Sequence, residues 1–161
     1  MRRTSERAGD IATATLRQGP PRPVVLGTLS VRPDPAAEEM AITRALEAGG
    51  RLVVANVVRL PSYPTTLVLA GPGAAVLPHE EDLEAVRATA ERAAALGIPT
   101  EHVRVAAKRP VRALLEVVRE CDAGLLVFGP DLRRMRRGRF RRAAARVRRD
   151  AGCLVWVAPD G

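Results

Sequence analysis

Lysine and aromatic side chains are almost missing from this chain of 161 residues: Lys108 stands alone, and the aromatics are Tyr63, Phe128, Phe140 and Trp156. So few rings cannot build the stacking platforms on which single-strand nucleic-acid binders lay their bases. The two cysteines, Cys121 and Cys153, have neither the dense even framework of a secreted disulfide scaffold nor the paired spacing of a zinc site, and read as free buried thiols. His79 falls in a loop and His102 in a strand, with no evident carboxylate or cysteine beside either, so each reads as a surface residue rather than a metal ligand. No apolar run reaches the roughly 18 residues a membrane helix needs, and the charged start lacks the apolar stretch and cleavage site of a signal peptide. The expectation is a cytoplasmic protein with no membrane association.

Catalytic and cofactor signatures are missing too. There is no G-x-G-x-x-G after the first strand, no P-loop, no G-x-S-x-G elbow and no H-E-x-x-H. A phosphoacceptor domain needs acidic residues where Thr28-Leu29-Ser30 and Ala106-Ala107 stand. Glu80, Glu81 and Asp82 read as a helix start whose negative charge suits the helix dipole. The chain is therefore expected not to be an enzyme.

What is present is a chain 47% apolar, enough to bury one core without staples. Its net charge of +8 is unevenly placed. Residues 1–22 carry five arginines against Glu6 and Asp10, while residues 129–161 carry ten arginines against three aspartates, so the stretch between them is close to neutral. Any anionic partner belongs at the two basic regions. Residues 1–22, ending in a proline-rich stretch, read as a flexible basic tail, and the folded domain as 23–161.

Within the domain, Val24 to Leu29 is a short apolar run, as a strand buried on both faces requires. Asp34-Pro35 is a strong helix start, since the carboxylate can accept from free N–H groups and proline at the first helical position loses no bond. Ala37, Ala41, Ala45 and Ala48 mark that helix's apolar face, and Gly49-Gly50 ends it. Leu52 to Val58 is a second strand, followed by a proline- and glycine-broken loop over 59–79. A helix from Asp82, with Leu83, Val86, Ala90 and Ala93 inward, stops at Gly97 and Pro99. Then come a strand at 102–106, a helix from Pro110 carrying Val111, Leu114, Leu115 and Val118, and a strand at 124–129. A helix with Phe140, Ala143, Ala144, Val147 and Ala151 inward and a last strand at 153–158 complete the order. Apolar strands alternating with helices predict right-handed crossovers and a doubly wound five-stranded parallel sheet with helices on both faces, ligands binding at the carboxyl ends of its strands.

PVVLGTLS, LVVANVV, DAGLLVFG and AGCLVWVA, in this order and spacing over residues 23–158, together resemble the universal stress protein family. The resemblance implies an adenine-nucleotide-hydrolase-like fold with strand order 3-2-1-4-5, a homodimer through the last strand at 153–158, and an ATP site. That last strand is apolar, with no lysine or interior proline to guard its edge. Carried over residue by residue, the nucleotide site falls on Thr28, Ser30, Val57, Gly129, Gly138, Arg139 and Arg142. Here the sequence departs from the family. Leu29 stands at the acidic position ending the first strand, where a hydrogen-bond acceptor is required. In the family's G-x2-G-x9-G-[ST] stretch, Gly129 matches the first glycine, Leu132 replaces the second, and Arg141, Arg142 and Ala143 fall at the final Gly-Ser/Thr pair. Gly138 could substitute only with a shifted loop.

Over the same stretch runs the arginine-rich segment RRMRRGRFRRAAARVRR, residues 133–149. Arg133, Arg134, Arg136 and Arg137 fall in the loop where the family holds phosphates, and Arg141 joins them as an anion-binding candidate. Three readings follow: a stress-response or regulatory binding module with a degenerate nucleotide site; a nucleotide binder using arginines for the phosphates; and a polyanion or nucleic-acid binder through the arginine face alone.

Overall fold

The computed structural model describes residues 20–60 and 80–158. The basic tail up to residue 19 and most of the loop at 59–79, His79 included, lie outside the described residues.

The elements are β1 (Val24–Leu29), α1 (Pro35–Ala48), β2 (Leu52–Arg59), α2 (Glu80–Ala95), β3 (Thr100–Ala107), α3 (Pro110–Glu120), β4 (Leu125–Phe128), α4 (Arg137–Asp150) and β5 (Leu154–Val157). All five strands pair in parallel, in the order β3-β2-β1-β4-β5. Strand order therefore reverses between β1 and β4, whose register sets Val24 beside Leu125 and Gly27 beside Phe128. This is the expected sheet.

Local chemistry places the helix ends. Asp34 accepts a 2.9 Å bond from the Ala36 N–H with Pro35 as first helical residue, and Gly49 ends α1 in the left-handed conformation at φ 61°. α4 starts three residues before its apolar stripe, at Arg137, with no side-chain cap on its first turn.

Side-chain alternation divides the core in two. Val25, Leu29, Val53, Val57, Leu126 and Phe128 meet the apolar faces of α3 and α4. Val24, Leu26, Leu52, Val54 and Val127 meet α1 and α2. Three details differ from the sequence reading. Ala48 is exposed because α1 turns it past the packed stripe of Ala37, Ala41 and Ala45. Asp82, not Leu83, is the buried residue of the first turn of α2. Cys121 and Cys153 are free but only half-buried, since each sits at an element end beside the core rather than within it; burial pushes both thiols up.

Candidate functional site

The carboxyl ends of β1, β2 and β4 converge where strand order reverses, the position at which doubly wound sheets bind ligands. At this end β1 makes a tight exit. The Thr28 hydroxyl donates to the Val31 carbonyl, and Ser30 adopts φ 61°. The Ser30 N–H donates to the Val57 carbonyl at 3.0 Å, while its Oγ accepts from the Arg59 N–H at 3.1 Å.

The loop from β1 to α1 (30–34) is joined to the loop from β4 to α4 (129–136) across the crevice. Pro33 and Pro130 form an antiparallel bridge. The Asp34 N–H donates to the Gly129 carbonyl at 2.8 Å, and the Asp131 N–H to the Arg32 carbonyl at 3.0 Å. Arg32 Nε donates to Asp131 Oδ2 at 3.0 Å, and the Arg133 N–H to Asp131 Oδ1 at 2.9 Å. Asp131 is buried. Burial alone would raise its carboxyl, but the N–H groups of Arg133 and Arg32 outweigh that and hold it below the ordinary carboxylate range.

Beneath this clasp the face of the strand ends toward α3 and α4 is apolar, whereas Thr28 and Asn56 are buried polar residues of the same strand ends. Leu29 is 2% exposed and belongs to one cluster with Val57, Phe128, Met135 and Phe140, against which Leu132 also packs. The Phe128 and Phe140 rings stack with centroids 5.9 Å apart. The leucines at the positions matched to the family's acid and second glycine thus point into core rather than lining a polar cavity.

Of the sequence candidates, Thr28, Ser30, Val57 and Gly129 come together at these strand ends. Thr28 and Val57 are fully buried, with the Thr28 hydroxyl and the Val57 carbonyl already bonded within the protein. Gly129 is held by packing: a Cβ there would lie 2.0 Å from the Ala37 Cβ of α1. Gly138 corrects an expectation. It lies in the first turn of α4 and not in a loop, because the helix begins one residue earlier, at Arg137, which likewise leaves the loop to which the sequence assigned it.

The arginines disperse. Arg134 pairs with Glu81 of α2 at 3.0 Å, and Arg142 Nε donates to the Gly138 carbonyl at 3.2 Å, so neither guanidinium is left wholly for a ligand. Arg133 and Arg136 are exposed in the loop, and Arg139 and Arg141 on α4. Partial desolvation of its head group and then the nearby charge of Arg59 depress the Arg139 guanidinium. Sequence reasoning missed Arg32, Arg59 and Asp131. Only the Asp131 position inside the matched loop offered a signal, and its partner lies 99 residues away.

Among the described residues no helix is long and apolar enough to cross a membrane. Nor does any group of three or more His, Cys, Asp or Glu among them gather where it could hold a metal ion.

The family model for the universal stress protein family matches residues 6–159, reaching into the segment read as a tail. Among solved structures, the universal stress protein UspA from Lactobacillus plantarum is 17% identical with a TM-score of 0.63, the match covering 87% of this chain and 99% of that one. A universal stress protein in complex with cAMP is 23% identical with a TM-score of 0.59, covering 89% of this chain and 100% of that one. The universal stress protein from Archaeoglobus fulgidus in complex with dAMP is 22% identical with a TM-score of 0.52, covering 84% and 96%. No curated protein sequence matches the chain.

Proposed function

Because the chain belongs to the universal stress protein family, we propose that it is a cytoplasmic regulatory binding module, without catalytic activity of its own, in which the family's nucleotide crevice is closed. One observation carries this reading: Leu29, at the position of the family's acidic anchor, is buried in an apolar cluster with Met135 and Phe140. A nucleotide entering there would have to displace packed side chains and would meet, in place of the family's acid, a leucine that can accept no hydrogen bond. The clasp between Arg32 and Asp131 supports the same reading, since it ties together the two loops that border the crevice.

A second reading rests on Arg59 and Arg139, whose charges act on one another at this end of the sheet. Relatives of the same fold have been solved with cAMP and dAMP, and two guanidinium groups can replace glycine N–H donors toward a phosphate. Titration calorimetry with ATP and AMP separates the two readings, together with mass spectrometry of the denatured purified protein for carried-over nucleotide. The closed-crevice reading expects no co-purified nucleotide and no saturable binding at low micromolar concentrations, any residual heat fading with added salt. Salt-insensitive, adenine-selective binding at low micromolar concentration overturns it.

We also propose self-association through β5. Its outer edge has no partner strand among the described residues, and Leu154 on it is 76% exposed.

A further inference from the structure

The four helices treat their arginines differently. α1 sets Glu38, Glu39 and Glu47 against Arg44, α2 sets five acids against Arg87 and Arg92, and α3 sets Glu116 and Glu120 against Arg112 and Arg119. Arg44–Glu47, Arg87–Glu91 and Arg112–Glu116 pair within one helix. α4 carries seven arginines with Asp150 as its one acid, and Arg146 and Arg149 share that carboxylate. Arg139, Arg142, Arg146 and Arg149 follow at spacings of three, four and three, which sets them on one side of the helix along about 15 Å. All four are exposed. Like charges at these spacings weaken a helix, and arginines in an uncapped first turn oppose its dipole. The stability of the fold therefore does not account for the stripe.

Its surroundings select among polyanions. A single strand needs rings on which to stack, but Phe128 and Phe140 are buried and Trp156 packs on the opposite face of the sheet. A membrane-surface helix needs a free apolar side, and in α4 Phe140, Ala143, Ala144 and Val147 are spent on the core. A second copy could offer its acid-rich α1 and α2, but the net charge of +8 sets copies against one another. A duplex presents a regular rail of phosphates and asks only for exposed cationic donors, which guanidinium forks supply.

We propose that the stripe of Arg139, Arg142, Arg146 and Arg149 binds the phosphate backbone of duplex nucleic acid, holding the protein on it without reading sequence. It names a partner for the binding module proposed above and does not rest on a closed crevice, since the stripe runs from that end of the sheet down the length of α4.

Fluorescence anisotropy of the full chain with a labelled duplex of mixed sequence tests this. A log–log plot of affinity against salt should have a slope of about −4, from the counterions released by four arginines. Arg142→Gln/Arg149→Gln leaves Asp150 its Arg146 partner, weakens binding at least about tenfold and takes about two units off the slope. Arg44→Gln/Arg87→Gln, the same loss of net charge on α1 and α2, changes affinity less than about twofold. Duplex binding that persists under excess AMP at fixed ionic strength supports the stripe whether or not AMP enters the crevice, whereas displacement by AMP overturns it. Binding that does not respond to salt, a single strand held as tightly as the duplex, or equal losses in the two double variants also overturns it. So does an unbound duplex, and if anionic vesicles or a low-salt oligomer then depend on Arg142 and Arg149, the partner is a membrane or a second copy instead. Circular dichroism establishes that each variant is folded.

Discussion

Gly129, which follows β4, lies directly against Ala37 of α1, so close that a Cβ on residue 129 would sit 2.0 Å from the Ala37 Cβ. The pair sets how tightly α1 lies over the reversal of strand order, and so fixes where the β1–α1 loop meets the β4–α4 loop. Gly129→Ala should destabilise by about 1–3 kcal/mol through overpacking. Adding Ala37→Gly opens the space again, less the cost of glycine within a helix. Urea denaturation of the two single variants and the double variant checks this: recovery in the double variant is expected, and additive losses would contradict it.

The Arg32–Asp131 pair predicts an acid-sensitive component of stability. Asp131 is held below its ordinary range in the fold, so its contribution is full above the unfolded value of about 3.9 and is lost as pH falls through the lower folded value. Asp131→Asn should lower stability at neutral pH by about 1–3 kcal/mol and flatten the acid limb of the stability profile. An unchanged acid limb would mean that Asp131 does not titrate as the fold requires.

Restoring the family's acidic residue should fail. In Leu29→Asp the new carboxylate would lie within the cluster of Val57, Phe128, Met135 and Phe140, at a cost of at least about 2 kcal/mol. Chemical denaturation should register the loss and calorimetry should find no gain in ATP affinity. A gain in affinity would show that polar space exists beside residue 29.

The β5 edge predicts a homodimer at micromolar concentration, observable by sedimentation. Leu154→Lys, which sets a charge on the most exposed apolar position of that strand, should shift the equilibrium toward monomer without altering the fold. A wild-type protein that sediments as a monomer would rule out this interface.

The outward arginines of α4 predict salt-sensitive binding to polyanions. Affinity for duplex DNA or polyphosphate should fall steeply and linearly on a log–log plot against salt, with little preference for sequence. Sequence-specific binding that survives high salt would contradict this.

The sequence by itself determined the order of the elements and, Ala48 and Leu83 apart, which stripe of each helix faces inward. Those features are written in relations a few residues long. The Asp34-Pro35 start, the glycine exit of α1 and the Phe140, Ala143, Ala144, Val147 stripe all rest on spacings of a single helical turn, which no distant contact can alter. The linear pattern of strands also marked the family and located the departures at Leu29 and Leu132.

Only the tertiary structure decided what those departures mean. That Leu29 joins Met135 and Phe140, that Arg134 answers Glu81 across 53 residues, and that Arg32 answers Asp131 across 99 depends on the crossovers that bring separate loops to one end of the sheet. The same holds for Gly129. Its place in a phosphate-loop pattern was legible in the sequence, whereas the helix packed against it was not, because a glycine records that something must come close and never what does.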